Sequence, residues 1–456
     1  MAEQQQLTPN PAPARGPQDP PALAEQQTER RRFKHHPPEG LVPGTVDSTP
    51  DRMLFVDWIR FQAESIAMTH ELKRLRTPTL EKVAALSRAL GENTDIIEEQ
   101  LFRVTGKSGD PIALRPDHRP GLARAFAQDK FSGQDRPVRL WTAGPVFRVV
   151  PLAQGALREW QTFSFELVGE KNPVLDAQII KMVHTVIKRL GLANIVISVN
   201  TVGCLDCQPE YKQQLKEFYE SRHNALCKKC RKRRTTNPML LLACKEEKCA
   251  RMAKDAPQII DHLCEICHKH FTETLEFLDD QEIPYSLMPS LVPEVEYYMR
   301  TVFSVAPEKS DRPRVLFEGG RYDDLIEKMG GRPTPAVGAT GFVDQIVLAL
   351  QEQAIKIANP RKGDVYLAQL SAMAKKKALK VFDMLRDAGI RVIEGFGKNA
   401  ITSQIEQATK LGVPITLILG QKETLDETII VRDMVNGVQE IVPLSRLIAE
   451  IKKRLA

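Results

Sequence analysis

Eight cysteines stand in four closely spaced pairs: Cys204-x2-Cys207, Cys227-x2-Cys230, Cys244-x4-Cys249 and Cys264-x2-Cys267. The other residues of this 456-residue chain include no cysteine. A short turn between two cysteines presents two thiolates to one ion, and a second pair completes a tetrahedron with bonds of about 2.3 Å. Eight thiolates therefore suit two structural zinc ions. The simplest grouping takes the pairs in chain order, Cys204/Cys207 with Cys227/Cys230 and Cys244/Cys249 with Cys264/Cys267. An interleaved grouping meets the same count, and His268 and His270 are alternative ligands. All-thiolate sites leave no open coordination position, so such metals would be scaffold rather than catalyst. A disulfide-stapled secreted protein is a poor fit, because such chains are short and cysteine-dense throughout. The first 30 residues show no apolar stretch of the secretory kind, so the expected setting is the reducing cytoplasm. No run of about 18 apolar residues occurs, and no membrane-spanning helix is expected.

Among the cysteines, Lys228, Lys229, Arg231, Lys232, Arg233 and Arg234 place six cations in seven positions. Such a run is usually a solvated face. On a metal-held loop it also suits phosphate contacts, and so RNA. The whole chain has 64 basic and 58 acidic side chains, a net charge of +6, which permits a nucleic-acid partner without requiring one. A second chemical pattern lies in Leu157–Val168. Alternation sends Arg158, Trp160, Thr162, Ser164 and Glu166 to one face and Phe163, Phe165 and Leu167 to the other. A polar face with Arg and Glu above an apolar one can floor a substrate site. The plainer reading is a solvated sheet face.

These residues need elements to hold them. Residues 1–45 are rich in Pro, Gln, Ala and charge, and read as a disordered tail. Its basic stretch, Arg30 to His36, reads as solvated, with RNA contact the alternative. Phe55, Ile59, Ala63 and Ile66 recur at helical spacing. Pro78 is read as separating that segment from a second helix in TLEKVAALSRAL. Val138–Val150 and Leu157–Val168 read as a long antiparallel hairpin around PLAQGA. A helix with Ile179, Ile180, Val183, Val186, Ile187 and Leu190 inside follows, then the strand IVISV. A helix through His270–Leu278 comes after the cysteines. Tyr285–Val305 and Val315–Phe317 look strand-like. From Val365 onward strand and helix alternate, which implies a small α/β domain with a mostly parallel sheet, closed by a helix at Leu444–Leu455.

The tracts GTVD (44–47), TPTLE (77–81), GENTDIIEEQLF (91–102), ALRPD (113–117), FR (147–148), REW (158–160), NTVGC (200–204), RKRRTTNP (231–238), EYYMRTVF (296–303) and GGRYDDL (319–325) stand in this order. Together they resemble the histidyl-tRNA synthetase family of class II over nearly everything after residue 45. The resemblance implies an α+β fold: an antiparallel-sheet catalytic core in two parts (46–202 and 273–355), a cysteine-rich insertion (203–272) and an anticodon-binding-like α/β domain (363–456). It implies a homodimer, with Pro78 in the dimer-forming motif. It also implies ATP with Mg, histidine and tRNA(His) as partners. Histidine and ATP would give histidyl-adenylate and pyrophosphate, and the histidyl group would pass to the tRNA. Catalysis of this kind is mostly positioning and charge stabilisation.

Residue by residue, the resemblance assigns Arg148 to the α-phosphate and substrate carboxylate. It assigns Glu166, Tyr297 and Tyr298 to the histidine pocket, and Gly320 and Arg321 to substrate binding. Asp117 stands for a glutamate that contacts the substrate amine, and Arg119 for a threonine beside it. Other positions depart further. LVPEVEYY (291–298) puts Pro293 at a catalytic arginine and Glu294 at its glycine. GATGFVDQ (338–345) puts Gln345 at a second arginine. Val150 and Pro151 replace a glutamate–arginine pair, and Thr162 replaces a substrate-contacting glutamine. Each lost preorganised charge typically costs about 10²–10³ in rate. Arg300 and Arg314 are the candidate substitutes. Two functions follow: a histidine–tRNA ligase with rearranged cations, or a catalytically impaired paralogue that binds tRNA or ligand in a regulatory role.

Overall fold

The computed structural model describes residues 40–105, 109–131, 133–151, 156–309, 314–357, 363–397 and 400–455. Most of the expected tail, its basic stretch, the hairpin tip and most of the linker before Gly363 lie outside these residues. The helix read from Phe55, Ile59, Ala63 and Ile66 is Pro50–Thr69. Thr49 caps it through a side-chain oxygen that accepts from the Arg52 amide at 3.4 Å, and Pro50 opens the first turn. The expected second helix starts later. Leu80–Lys82 is a strand paired with Ile112–Leu114, and the helix is only Val83–Leu90. Cross-strand pairing wins over local helix propensity there.

Eight strands form the main sheet, in the order Lys73–Arg74, Val138–Phe147, Glu159–Val168, Ala336–Phe342, Phe317–Arg321, Met299–Pro307, Ile195–Thr201, Ser286–Leu287. The two-residue edge strands pair parallel, and every pairing between them is antiparallel. The hairpin is paired from Val138↔Val168 to Phe147↔Glu159. Its alternation turns Phe163, Phe165 and Leu167 into the core on the back of the sheet. Helices Val174–Leu190, Pro50–Thr69 and Val343–Glu352 contribute Ile179, Ile180, Val183, Ile59 and Ile346 to that core. Each such side chain contributes about 1.5–3 kcal/mol of burial. The front face is left for polar residues.

Tyr285–Val305 is not one strand. Only Ser286–Leu287 and Met299–Pro307 pair, because Pro289 and Pro293 interrupt the segment between them. The strand expected at Val315–Phe317 is Phe317–Arg321, so it contains the GGR of GGRYDDL. Helices Gln208–Glu220, Lys228–Thr236 and Glu247–Ala253 fill the cysteine-rich region. The last part of the chain has a five-stranded sheet in the order Val392–Glu394, Val365–Gln369, Ile415–Leu419, Thr428–Asp433, Gln439–Pro443. Its first three strands are parallel as expected, and the last two form an antiparallel hairpin that was not expected. That sheet has its own core around Leu367, Leu385, Leu417 and Ile451. No described helix is long and apolar enough to cross a membrane.

Candidate functional site

Alternation along Glu159–Val168 sends Thr162, Ser164 and Glu166 to the front of the sheet, all buried. Glu166 lies against Gly338 of the adjacent strand, where any Cβ would collide with its carboxylate. Tyr297 and Tyr298 lead into strand Met299–Pro307, and Tyr322 follows strand Phe317–Arg321 directly. A Cβ at Gly320 would lie 3.0 Å from the Tyr298 ring, so glycine makes room for that tyrosine. Together one carboxylate and three tyrosines form a closed box.

The box is filled by Arg119, which is 1% exposed. Its Nη1 donates to the Tyr298 hydroxyl at 2.9 Å and the Tyr297 hydroxyl at 3.3 Å. Its Nε donates to Glu166 at 3.3 Å, and Tyr322 donates to the same carboxylate at 2.7 Å. The guanidinium carbon lies 5.4–6.0 Å from the three tyrosine ring centres. Burial opposes its charge, but Glu166 outweighs that and holds the guanidinium pKa far above its ordinary value. Burial pushes the Glu166 carboxyl up, against the pull of Arg119. Burial also pushes the three tyrosine hydroxyls up, so they remain donors.

Asp117 accepts from the Arg119 amide at 3.0 Å and from the Tyr297 hydroxyl. Burial opposes its ionisation, yet Arg119 and Tyr297 outweigh it and hold the carboxyl below its usual range. Thr162 donates to the Gly144 carbonyl at 2.9 Å, so His118 Nε2, at 2.9 Å, is the donor to the Thr162 oxygen. Burial, then Arg115, lowers the His118 pKa to about 3, which leaves it neutral.

Arg148 stands at the mouth. Its Nε donates to the Pro116 carbonyl at 3.2 Å, and the guanidinium lies 5.8 Å from the Trp160 ring centre. Its Nη1 is 3.7 Å from the Glu294 carboxylate, so Glu294 faces the arginine. Pro293 is half-buried beside it, and Gln345 is half-buried on helix Val343–Glu352. Arg321 leaves the pocket. It donates to Asp176, Asp323 and the carbonyls of Glu170 and Asn172 behind the sheet. Burial opposes ionisation of Asp176, but Arg321 outweighs it and lowers the pKa to about 2. Tyr322, one residue on, is the side chain that enters, and alternation along GGRY is the signal that would have found it. Arg314 is bidentate to Glu352 at 2.5 and 2.7 Å, and Arg300 lies 3.5 Å from Asp323. Neither reaches the box.

The cysteines form two groups, Cys204/Cys207/Cys264/Cys267 and Cys227/Cys230/Cys244/Cys249. The chain-order grouping is therefore corrected: the outer pairs join, the inner pairs join, and the second group is nested inside the first. The cause is topological, since strand Ile195–Thr201 and helix Glu265–Asp280 both belong to the core and bring Cys204 and Cys264 together. A tetrahedron with 2.3 Å bonds has edges of about 3.8 Å. The Cys204–Cys207 and Cys227–Cys244 sulfurs are 3.6 and 3.9 Å apart. Amides of Cys264 and Cys230 donate to sulfurs at 3.1 and 3.4 Å, an arrangement that would suit metal-bound thiolates. The eight residues fit two zinc ions, and His270 is no ligand, since its Nε2 lies 3.3 Å from Asp176. The basic run is helix Lys228–Thr236. Lys229 and Arg233 pair with Asp95, Lys232 with Glu98 and Arg234 with Glu220. Much of its charge is thus directed at the protein itself.

An antiparallel sheet carrying a buried polar pocket on one face and helices on the other, with a separate α/β unit after it, defines a class II aminoacyl-tRNA synthetase architecture. Residues 44–346 match the profile described as Histidyl-tRNA synthetase, and residues 364–454 match the one described as Anticodon binding domain. The chain belongs to the histidyl-tRNA synthetase family. It is 34% identical to the histidine–tRNA ligase of Halothermothrix orenii over 410 residues, 90% of this chain and 98% of that one. It is 33% identical to the Dehalococcoides mccartyi ligase, over 90% and 99% of the two chains. The apo histidyl-tRNA synthetase of S. aureus superposes with a TM-score of 0.75 at 26% identity, covering 91% of this chain and all of that one.

Proposed function

We propose that this chain is a histidyl-tRNA synthetase paralogue that keeps tRNA recognition and no longer activates histidine. The reading is carried by Pro293 and Gln345, which stand in the sequence where the family resemblance expects two arginines, while the candidate substitutes Arg300 and Arg314 are held by Asp323 and Glu352. Two missing preorganised cations, if independent, cost roughly 10⁴-fold or more in rate. Arg148 would still meet an α-phosphate of ATP with its Mg, although Glu294 competes for it. In this reading the core (46–202 and 273–355) is a recognition platform, the insertion (203–272) is folded by two zinc ions, and residues 363–456 bind tRNA(His). The protein acts as a homodimer in the cytoplasm, where eight thiols stay reduced.

The second reading is a working histidine–tRNA ligase. Similarity along nearly the full length of ligases favours it, together with Arg148 beside the box. Histidine-dependent ATP–pyrophosphate exchange on zinc-replete protein separates the two. The paralogue reading expects exchange at the no-histidine blank with tRNA(His) binding retained in a filter assay. Exchange at rates near those of the family's ligases would sink it.

A further inference from the structure

The box of Glu166, Tyr297, Tyr298 and Tyr322 is built for a planar group carrying N–H donors and positive charge. A buried carboxylate needs such a partner, since leaving it bare and dry is costly. Three tyrosine rings favour a cation at their faces. The chain itself supplies that partner. Arg119 reaches in from the first turn of helix Arg119–Ala127 and donates to three of the four box residues. Its backbone is tied as well, since its N–H donates to the Asp117 carboxylate at 3.0 Å. That same turn is close-packed, because a Cβ at Gly121 would lie 2.9 Å from the Thr77 hydroxyl. Swinging the guanidinium out would strand Glu166 in the interior.

We infer that Arg119 is a resident substitute ligand, occupying the box where a substrate's imidazole or other cationic side chain would sit, so that free amino acid is excluded. The inference rests on the reading of this box as the amino-acid site of a synthetase fold. It goes further by giving a physical cause for the loss of recognition, separate from the loss of catalytic cations.

The test is binding, not turnover. L-histidine, imidazole and methylguanidine are titrated into wild type and Arg119→Ala by calorimetry and by thermal shift. Wild type is expected to bind none of them at about 10 mM, weaker than a millimolar dissociation constant by tenfold. Arg119→Ala is expected to bind imidazole and methylguanidine at least about tenfold more tightly and to regain thermal stability as they fill the site. Imidazole binding is the decisive readout, since a soluble guanidine refills the cavity left by any deleted arginine, structural or not. If Arg119→Ala does not fold, Arg119→Ala/Glu166→Gln removes the stranded charge, and it is expected to fold and admit L-histidine.

Stoichiometric histidine binding by wild type overturns the inference. So does a folded Arg119→Ala, or failing that a folded double variant, that still binds neither imidazole nor L-histidine. Histidine binding without exchange would defeat this inference alone. Histidine-dependent exchange by wild type would defeat the paralogue reading too.

Discussion

At the scale of single residues, the pocket is an electrostatic balance that tolerates few changes. His118 is buried and neutral, with its pKa lowered to about 3 by burial and then by Arg115. The unfolded chain would bind a proton there near pH 6.5, so the unfolded state holds more protons between pH 6.5 and 3. Stability therefore falls as the pH drops through that window. The loss from this residue should reach roughly 2 kcal/mol between pH 7 and 5. Urea midpoints at the two pH values check it: His118→Gln should flatten the slope, and an unchanged slope would show that His118 is not the group responsible. Glu166→Gln leaves Arg119 as an unpaired buried cation and should destabilise by about 3–5 kcal/mol, read as a lowered urea midpoint. Part of this site was legible: alternation put Glu166 on a polar strand face whose plainer reading was a solvated one, and the resemblance assigned Glu166, Asp117, Tyr297 and Tyr298 to a pocket. The course of Arg119 was not, because the direction of a long side chain is set by tertiary partners that lie 47 to 179 positions away. Arg321 and Tyr322 were separable in principle, since neighbours on a strand face opposite ways.

At the scale of elements, the cysteine-rich insertion is organised by what its ends are attached to. Spacing identified the four pairs, but pairing depends on which core elements flank the insertion, and that is tertiary information. The nested grouping makes a sharp expectation for zinc content. Cys204→Ser/Cys267→Ser should retain about one ion per chain, because both residues serve one site, whereas Cys204→Ser/Cys230→Ser should lose both. Metal analysis with a thiol-displacement assay reads this, and the reverse pattern would restore the chain-order grouping. The basic helix Lys228–Thr236 was read as equally suited to solvent or phosphate. Its contacts with Asp95 and Glu98 give it a third role, fastening the insertion to the core. Asp95 accepts from both Lys229 and Arg233 and is only partly exposed. Asp95→Asn should cost about 1 kcal/mol, appearing as faster proteolysis within 204–267. Equal cleavage in both proteins would assign that contact no such function.

At the scale of the whole molecule, the chain joins two units that bury their apolar surfaces separately. The core around Ile180 and Phe165 draws residues from 56 to 350, and the one around Leu367 and Leu417 draws them from 365 to 451. Neither cluster contains a residue of the other, so each has its own source of burial free energy. The alternation of strand and helix after Val365 revealed the second unit, while its final hairpin escaped notice because Thr428–Asp433 and Gln439–Pro443 are short and half exposed. Separate cores would permit the two halves of synthetase function to part, with the pocket altered and the unit that matches the anticodon-binding profile kept. A truncation ending before Gly363 should therefore melt within a few degrees of the full chain's first transition and lose most tRNA affinity, by about tenfold or more. If the truncated protein instead binds tRNA(His) as tightly as the full chain, recognition lies in the core or on the cysteine-rich insertion. The exposed cations of helix Lys228–Thr236 would then be the place to look.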